Sequence, residues 1–110
     1  KSMASATYWQ RGEALDYVNN TSNMIKVGTV LKIGTRIGIA GDDIAPKATG
    51  AIHVSGVYEF KKTGTNEVKM GTNVYFDGTG ITETEGSNTL AGYAAEDSPS
   101  TATVIKVKIG

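Results

Sequence analysis

The stretch from residue 27 to residue 60 constrains the fold more than any other part of the chain. It reads VGTVLKIGTRIGIAGDDIAPKATGAIHVSGVYEF, so that short runs of β-branched residues alternate with glycines. Short β-prone runs bounded by Gly, Asp or Pro are typical of strands that are joined by tight turns. The same pattern continues to the end of the chain, where the side chains of residues 101–109 alternate in character as in a half-buried strand.

The strand signals extend over the whole sequence, and helix signals are weak. The best helical candidate, residues 91–97, is interrupted by Gly92. Residues 51–62 predict one long strand with a bulge at Gly56, and residues 81–85 predict an exposed ribbon. The sequence therefore predicts an all-β fold, a small barrel or a β-clip-like domain of about nine or ten short strands with little helix.

A chain of 110 residues has the length of one domain. Residues 1–11 are predicted to form an N-terminal arm, and residues 12–110 a single β domain. Lys1 and Ser2 precede Met3 and are interpreted as a remnant of expression. The arm is polar except for Tyr8 and Trp9, and an arm-borne Trp is a candidate interface anchor.

Composition disfavours several classes of function. Eleven acidic residues balance eleven basic ones, so the chain lacks the positive field with which proteins bind nucleic acid. Cysteine is absent, which excludes disulfides and thiolate metal sites. No apolar run approaches the length of a transmembrane helix and no signal-peptide core is present, so no membrane association is expected.

No catalytic motif is complete. Residues 56–63 approach a phosphate-binding loop, but Lys61 stands where the second glycine must be, and the residues have strand character. His53 is the only histidine, and it has no nucleophile elbow to serve. Asp42 and Asp43 lack the spacing of a calcium loop and suit turn capping better. We therefore expect no catalytic residue, no cofactor site and no metal site, and a protein that is not an enzyme.

Taken as a whole, residues 7–110 resemble a family of small bacteriophage capsid cement, or head-decoration, proteins, sometimes labelled phage recombinases. The segments that carry the resemblance are Gly12 with residues 15–19, residues 25–30, residues 37–40 with 43–45, Gly50, residues 54–61, Gly71 with residues 74–77, residues 92–94 and the closing strand through Val107. One residue departs from the family pattern, because Lys47 stands where a glycine is expected in the turn between Ile44 and Gly50.

The resemblance implies a non-enzymatic structural virion protein that binds the outer surface of a phage head and stabilises the capsid. Its expected partners are the major capsid protein and further copies of itself, as a homo-trimer on the capsid. The expected location is the virion surface, with the bacterial host cytoplasm during assembly. Trp9 and Arg11 are the candidate capsid contacts. The alternative is a sugar- or host-surface-binding module of a phage particle, which would present exposed aromatic residues.

Overall fold

The computed structural model describes residues 3–110, and these residues form an all-β protein without helix. Nine strands follow one another along the chain: β1 (Ala14–Val18), β2 (Val30–Ile33), β3 (Arg36–Ala40), β4 (Thr49–His53), β5 (Gly56–Lys61), β6 (Asn73–Phe76), β7 (Ile81–Thr82), β8 (Thr89–Ala94) and β9 (Val104–Ile109). Nothing in this part of the chain is a helix that could cross a membrane. The prediction for Lys1 and Ser2 lies outside the described residues.

The strands form two antiparallel sheets. The first has the order β1-β4-β3-β2 and the second the order β5-β9-β8-β6-β7. The all-β prediction is confirmed, but the small barrel, one of the two expected shapes, is wrong. The sheets do not close, because β1 and β2 are edges of the first sheet, and β5 and β7 are edges of the second.

Gly56 separates two strands that the sequence predicts as one. The residue has a φ of +113°, which is accessible to glycine and strained for other residues. Strand β4 before it pairs with β1 and β3, whereas β5 after it pairs with β9. The glycine therefore marks the point where the chain passes from one sheet to the other, and it is not a bulge inside one strand.

The two sheets are copies of one structural unit. Strands β1, β2, β3 and β4 correspond to β5, β6, β8 and β9, and the strand order is the same in both sheets. The registers correspond as well, because Ala14 pairs with His53 as Val57 pairs with Lys108. Residues 14–30 thus match 57–73, residues 39–45 match 93–99, and residues 49–54 match 104–109. We call these units repeat 1 (residues 13–55) and repeat 2 (residues 56–110).

Hydrogen bonds outside the strands repeat in the same way. Ile25 and Ile44 exchange two backbone bonds, and Val68 and Ser98 do the same at the matching positions. A polar side chain beneath each pair closes the connection. The Asn19 amide donates to Ile44 O at 2.8 Å, and the Lys62 ammonium, at the matching position, donates to Ser98 O at 3.4 Å and Pro99 O at 2.7 Å. Different side chains therefore donate a hydrogen bond to the equivalent buried carbonyl group in each repeat.

Each repeat has its own core, and β3 joins the two. Repeat 1 buries one cluster, whose members are Ile25, Ala40, Ile44 and Ile52. Repeat 2 buries a larger cluster that includes Phe60, Val74 and Val107, and Ile37 and Ile39 from β3 of repeat 1 belong to it. Strand β3 packs against β8, its own counterpart in repeat 2. Equivalent strands therefore meet between the repeats, but only repeat 1 contributes residues to the core of the other.

The family pattern's departure at Lys47 coincides with an unusual backbone conformation. Lys47 is the only non-glycine residue between 3 and 110 with a positive φ, at +69°. It is the third residue of a turn in which Ala48 N–H donates to Ala45 O at 3.0 Å. A side chain in this left-handed region costs free energy that glycine avoids. The glycine that the resemblance leads us to expect here would therefore suit the backbone better than lysine does.

Candidate functional site

The arm carries the two most exposed aromatic side chains of the described residues. Residues 3–10 belong to no strand, and Tyr8 and Trp9 are 79% and 88% exposed. The Arg11 guanidinium donates to Glu13 Oε1 at 2.8 Å, and both side chains face water. Such a surface ion pair adds little stability. Trp9 and Arg11, the predicted contact residues, therefore lie together on one exposed segment that packs little against the domain.

Two further exposed apolar residues stand at matching positions of the repeats, and they are not among the contact residues predicted from the sequence. Tip 1 is the turn of residues 26–29, and tip 2 is the turn of residues 69–72. Val27 in tip 1 is 62% exposed, and Met70 in tip 2 is 67% exposed. Both turns have the sequence Lys, apolar residue, Gly, Thr. The signal that could have found them is this four-residue repeat.

The tips share their geometry as well as their sequence. The N–H of the fourth residue donates to the carbonyl of the first, Thr29 to Lys26 and Thr72 to Lys69, at 3.1 Å in each. The third residues, Gly28 and Gly71, have φ of +86° and +90°, so both turns are of type II.

An aspartate fixes each tip from a neighbouring loop. Asp43 Oδ1 accepts the N–H of Val27 at 2.8 Å, and Asp97 Oδ1 accepts that of Met70 at 2.8 Å. The structural role predicted for the Asp42–Asp43 pair is confirmed for Asp43 by this bond. A backbone donor that would otherwise need water is thereby satisfied by a carboxylate.

A cleft of about 710 Å³ lies between the two sheets. Apolar side chains from both repeats line it, and two cations stand at it, Arg36 and Lys108. The Lys108 ammonium lies 5.9 Å from the centre of the Tyr93 ring, within the range of a cation–π contact. The cleft can accept apolar surface, and no His, Asp or Glu is among the residues that line it.

The phosphate-loop-like segment and His53, the incomplete motifs of the sequence, are parts of regular strands. Most of the phosphate-loop-like segment is strand β5, whose extended backbone pairs with β9 along one side and cannot curl around a phosphate. His53 ends β4, half-buried, with its ring 6.4 Å from that of Tyr58. Between residues 3 and 110, no three His, Cys, Asp or Glu residues stand close enough to hold a metal ion.

One carboxylate has a perturbed pKa. A hydrogen bond from the Thr63 hydroxyl, 2.6 Å from Asp77 Oδ2, lowers the pKa of Asp77, and the N–H groups of Gly80 and Thr79 act in the same direction. Partial desolvation opposes them without reversing the shift. Asp77 thus organises the turn after β6 as an anion, and a structural turn accounts for its pKa.

Fold and surface together define a small all-β protein whose distinctive features are exposed apolar residues. A comparison with known protein families matches residues 9–109 to the phage cement proteins. The chain belongs to this family, which gives it a structural role on a phage capsid. Neither the curated proteins nor the solved structures offer a significant match.

Proposed function

We propose that this protein binds the outer surface of a phage head and stabilises the capsid without catalysing a reaction. The observation that carries the proposal is the family match over residues 9–109, which spans both repeats and the end of the arm. The surface is compatible with it, because apolar side chains such as Trp9, Val27 and Met70 are exposed and available for contact. A binding protein that acts in many copies on a symmetric shell needs only modest affinity at each contact.

The arm is proposed as a capsid contact, with Trp9 as its anchor and Arg11 beside it. Trp9 exposes most of its surface, and large aromatic residues and arginines dominate the energetics of protein interfaces. Arg11 loses little on leaving Glu13, because both side chains of the ion pair are largely exposed to water. An arm that becomes ordered on the shell costs affinity through its lost entropy, which burial of Trp9 would offset.

The proposed partner is the major capsid protein, and the proposed assembly on the shell is a homo-trimer. Before it joins the particle, the protein would be present in the cytoplasm of the bacterial host. The trimer is an expectation from the family resemblance. Cross-linking of decorated heads, followed by mass determination of the linked species, tests it directly.

Co-sedimentation of the purified protein with empty phage heads, before and after shell expansion, tests the proposed function. Saturable binding to expanded heads, together with a higher temperature of head disruption, is the expected result. Absence of binding to either form would contradict the proposal. A glycan array would then test the alternative of a sugar- or host-surface-binding module.

Two variants test the arm, Trp9→Ala and a deletion of residues 1–11. Both should lower the affinity for heads, by tenfold or more for a buried Trp anchor. Tyr8→Ala serves as a matched control for loss of a neighbouring exposed aromatic ring. If both arm variants bind heads as tightly as the wild type, the arm is not the contact.

A further inference from the structure

The turn geometry does not account for the exposed apolar residue in either tip. Gly28 and Gly71 supply the positive φ that a type II turn requires. Asp43 accepts the N–H of Val27, and Asp97 accepts the N–H of Met70. The second position of such a turn tolerates most residues and favours proline. Val27 and Met70 nevertheless expose more than half of their surface to water. The turns would form equally well with polar residues there.

The tips agree in sequence while much of the surrounding surface does not. In repeat 1, the turn between β2 and β3 consists of Gly34 and Thr35, whereas residues 77–88 connect β6 to β8 in repeat 2. The buried anchors differ too, Asn19 in one repeat and Lys62 in the other. A lysine followed by an exposed apolar residue is nevertheless present in both tips. Retention of a feature that the turn does not require indicates that both tips serve the same purpose.

The charges around the tips also match. Lys26 and Lys69 open the turns, and an acidic pair stands across from each, Asp42 with Asp43 and Glu96 with Asp97. Each tip is therefore an apolar side chain bordered by charges of both signs. This arrangement resembles a small interface with an apolar centre and a polar rim.

Because the two tips are equivalent, they can bind two equivalent partners. We propose that each tip seats its apolar residue in the same shallow site on a copy of the capsid subunit, so that one molecule bridges two neighbouring subunits. This inference rests on the proposed function, because the shell is the partner that offers many identical copies. Linking two weak contacts in one molecule raises the apparent affinity by about 10²–10⁴ over either contact alone.

The test compares Val27→Ser, Met70→Ser and the double variant with the wild type on empty heads prepared without the protein. Val57→Ser is the matched control, because Val57 is a similarly exposed valine, at 56%, away from both tips. Thermal melting followed by circular dichroism checks that each variant folds. Val27→Thr and Met70→Gln keep the side-chain volume and replace any variant that does not fold.

Each single variant should lower the apparent affinity for heads by tenfold or more, and by a similar factor, because the two ends are equivalent. At saturating concentration a single variant should coat the heads but raise their disruption temperature less than the wild type does, since one remaining tip cannot bridge. The double variant should bind least, and Val57→Ser should behave as the wild type.

Three outcomes would overturn the bridge. One single variant could match the wild type in affinity, bound single variants could protect heads fully, or the variants could change only self-association in sedimentation of the protein alone. Failure of the wild type to bind heads would contradict the proposed function itself. The bridging inference and the proposed function are therefore tested by separate measurements.

Discussion

At the scale of single residues, two positions depart from what their residue types prefer, and each has a local cause. Lys47 holds a left-handed backbone, and Asp77 holds a lowered pKa. Both lie in turns, and hydrogen bonds made within those turns and to them account for the departures. The departures therefore concern stability, and each can be measured without a capsid.

Replacing Lys47 with glycine should stabilise the protein. A lysine at φ +69° costs about 1–2 kcal/mol, and part of that is regained because glycine has more entropy to lose on folding. The Lys47 N–H that donates to Asn19 O at 2.8 Å is kept. We expect the free energy of unfolding to rise by about 0.5–1 kcal/mol, measured by urea denaturation.

Lys47→Ala is the control for this prediction. It removes the same exposed side chain but retains a Cβ, so the strain should persist and the stability should change little. A glycine variant that is no more stable than the alanine variant would show that the turn relieves its strain by other means.

The lowered pKa of Asp77 predicts that this residue contributes to stability in a pH-dependent way. Because its pKa is lowered in the folded state, the carboxylate stabilises the fold fully above the ordinary Asp pKa of about 3.9. The contribution is lost as the pH falls through the lowered, folded-state pKa. Asp77→Asn should therefore be less stable than the wild type at pH 6, and the difference should shrink towards pH 2.5.

The effect should stay below about 1 kcal/mol, because the side chain is exposed and solvent screens it. Urea denaturation of both proteins across this pH range measures it. Asp16→Asn, a change at an exposed strand carboxylate, is the control. A difference between wild type and Asp77→Asn that grows in acid would contradict the assignment.

At the scale of elements, a matching pair of glycines provides an internal comparison. Gly92 in β8 corresponds to Gly38 in β3, but their surroundings differ. A Cβ on Gly92 would overlap the Lys108 carbonyl oxygen and lie 2.9 Å from its carbon, whereas a Cβ on Gly38 would meet the end of the Ile52 side chain at 3.2 Å. Backbone cannot move aside as a side-chain methyl group can.

Gly92→Ala should therefore lower the free energy of unfolding by about 3 kcal/mol or more, and Gly38→Ala by about 1 kcal/mol or less. Thermal or urea unfolding of the two variants gives the comparison. Equal losses would mean that β8 shifts away from β9 to admit the methyl group.

Most strands could be predicted from the sequence, because short β-branched runs between turn residues carry a local signal. The last strand, predicted within residues 101–109 and observed at Val104–Ile109, is an example. Tertiary contacts decided the rest. Gly56 was predicted as a bulge, because sequence cannot show that β4 and β5 pair in different sheets. Ile81 was predicted in an exposed ribbon, but pairing with Phe76 and a bridge to Lys62 bury it completely.

The internal repeat escaped prediction for a physical reason. A strand requires apolar residues at certain positions, but several residue types meet that requirement. The repeats therefore share few identical residues outside the turns. Unequal connections between β2 and β3 and between β6 and β8 also break any fixed period. Of the functional surface, the sequence pointed to Trp9 and Arg11. Val27 and Met70 are marked in the sequence only by the four-residue repeat of their turns, and matching hydrogen bonds show that the two turns are equivalent.

At the scale of the whole molecule, the two repeats should unfold together. Ile37 and Ile39 lie in repeat 1 but are buried in the core of repeat 2. Ile39→Ala removes atoms from that shared core and should cost about 2–4 kcal/mol. In NMR spectra of this variant at increasing urea, the folded-state amide signals of both repeats should disappear at one urea concentration, which is lower than that for the wild type.

Ile52→Ala is the comparison for this prediction, because Ile52 is buried in the core of repeat 1 alone. A cooperative molecule loses both repeats together in either variant. Signals of repeat 2 that persist after those of repeat 1 have vanished would show two independent folding units.

The duplicated architecture also bears on how the chain could be rearranged. Gly110 lies against Val54 and Ser55, and the Val54 N–H donates to Glu13 O at 2.9 Å, so the end of β9 and the start of β1 meet beside the junction of the repeats. A circular permutant that links residue 110 to residue 12 and opens between Ser55 and Gly56 would preserve every strand pairing within both sheets. Strand pairing therefore does not dictate which repeat is synthesised first.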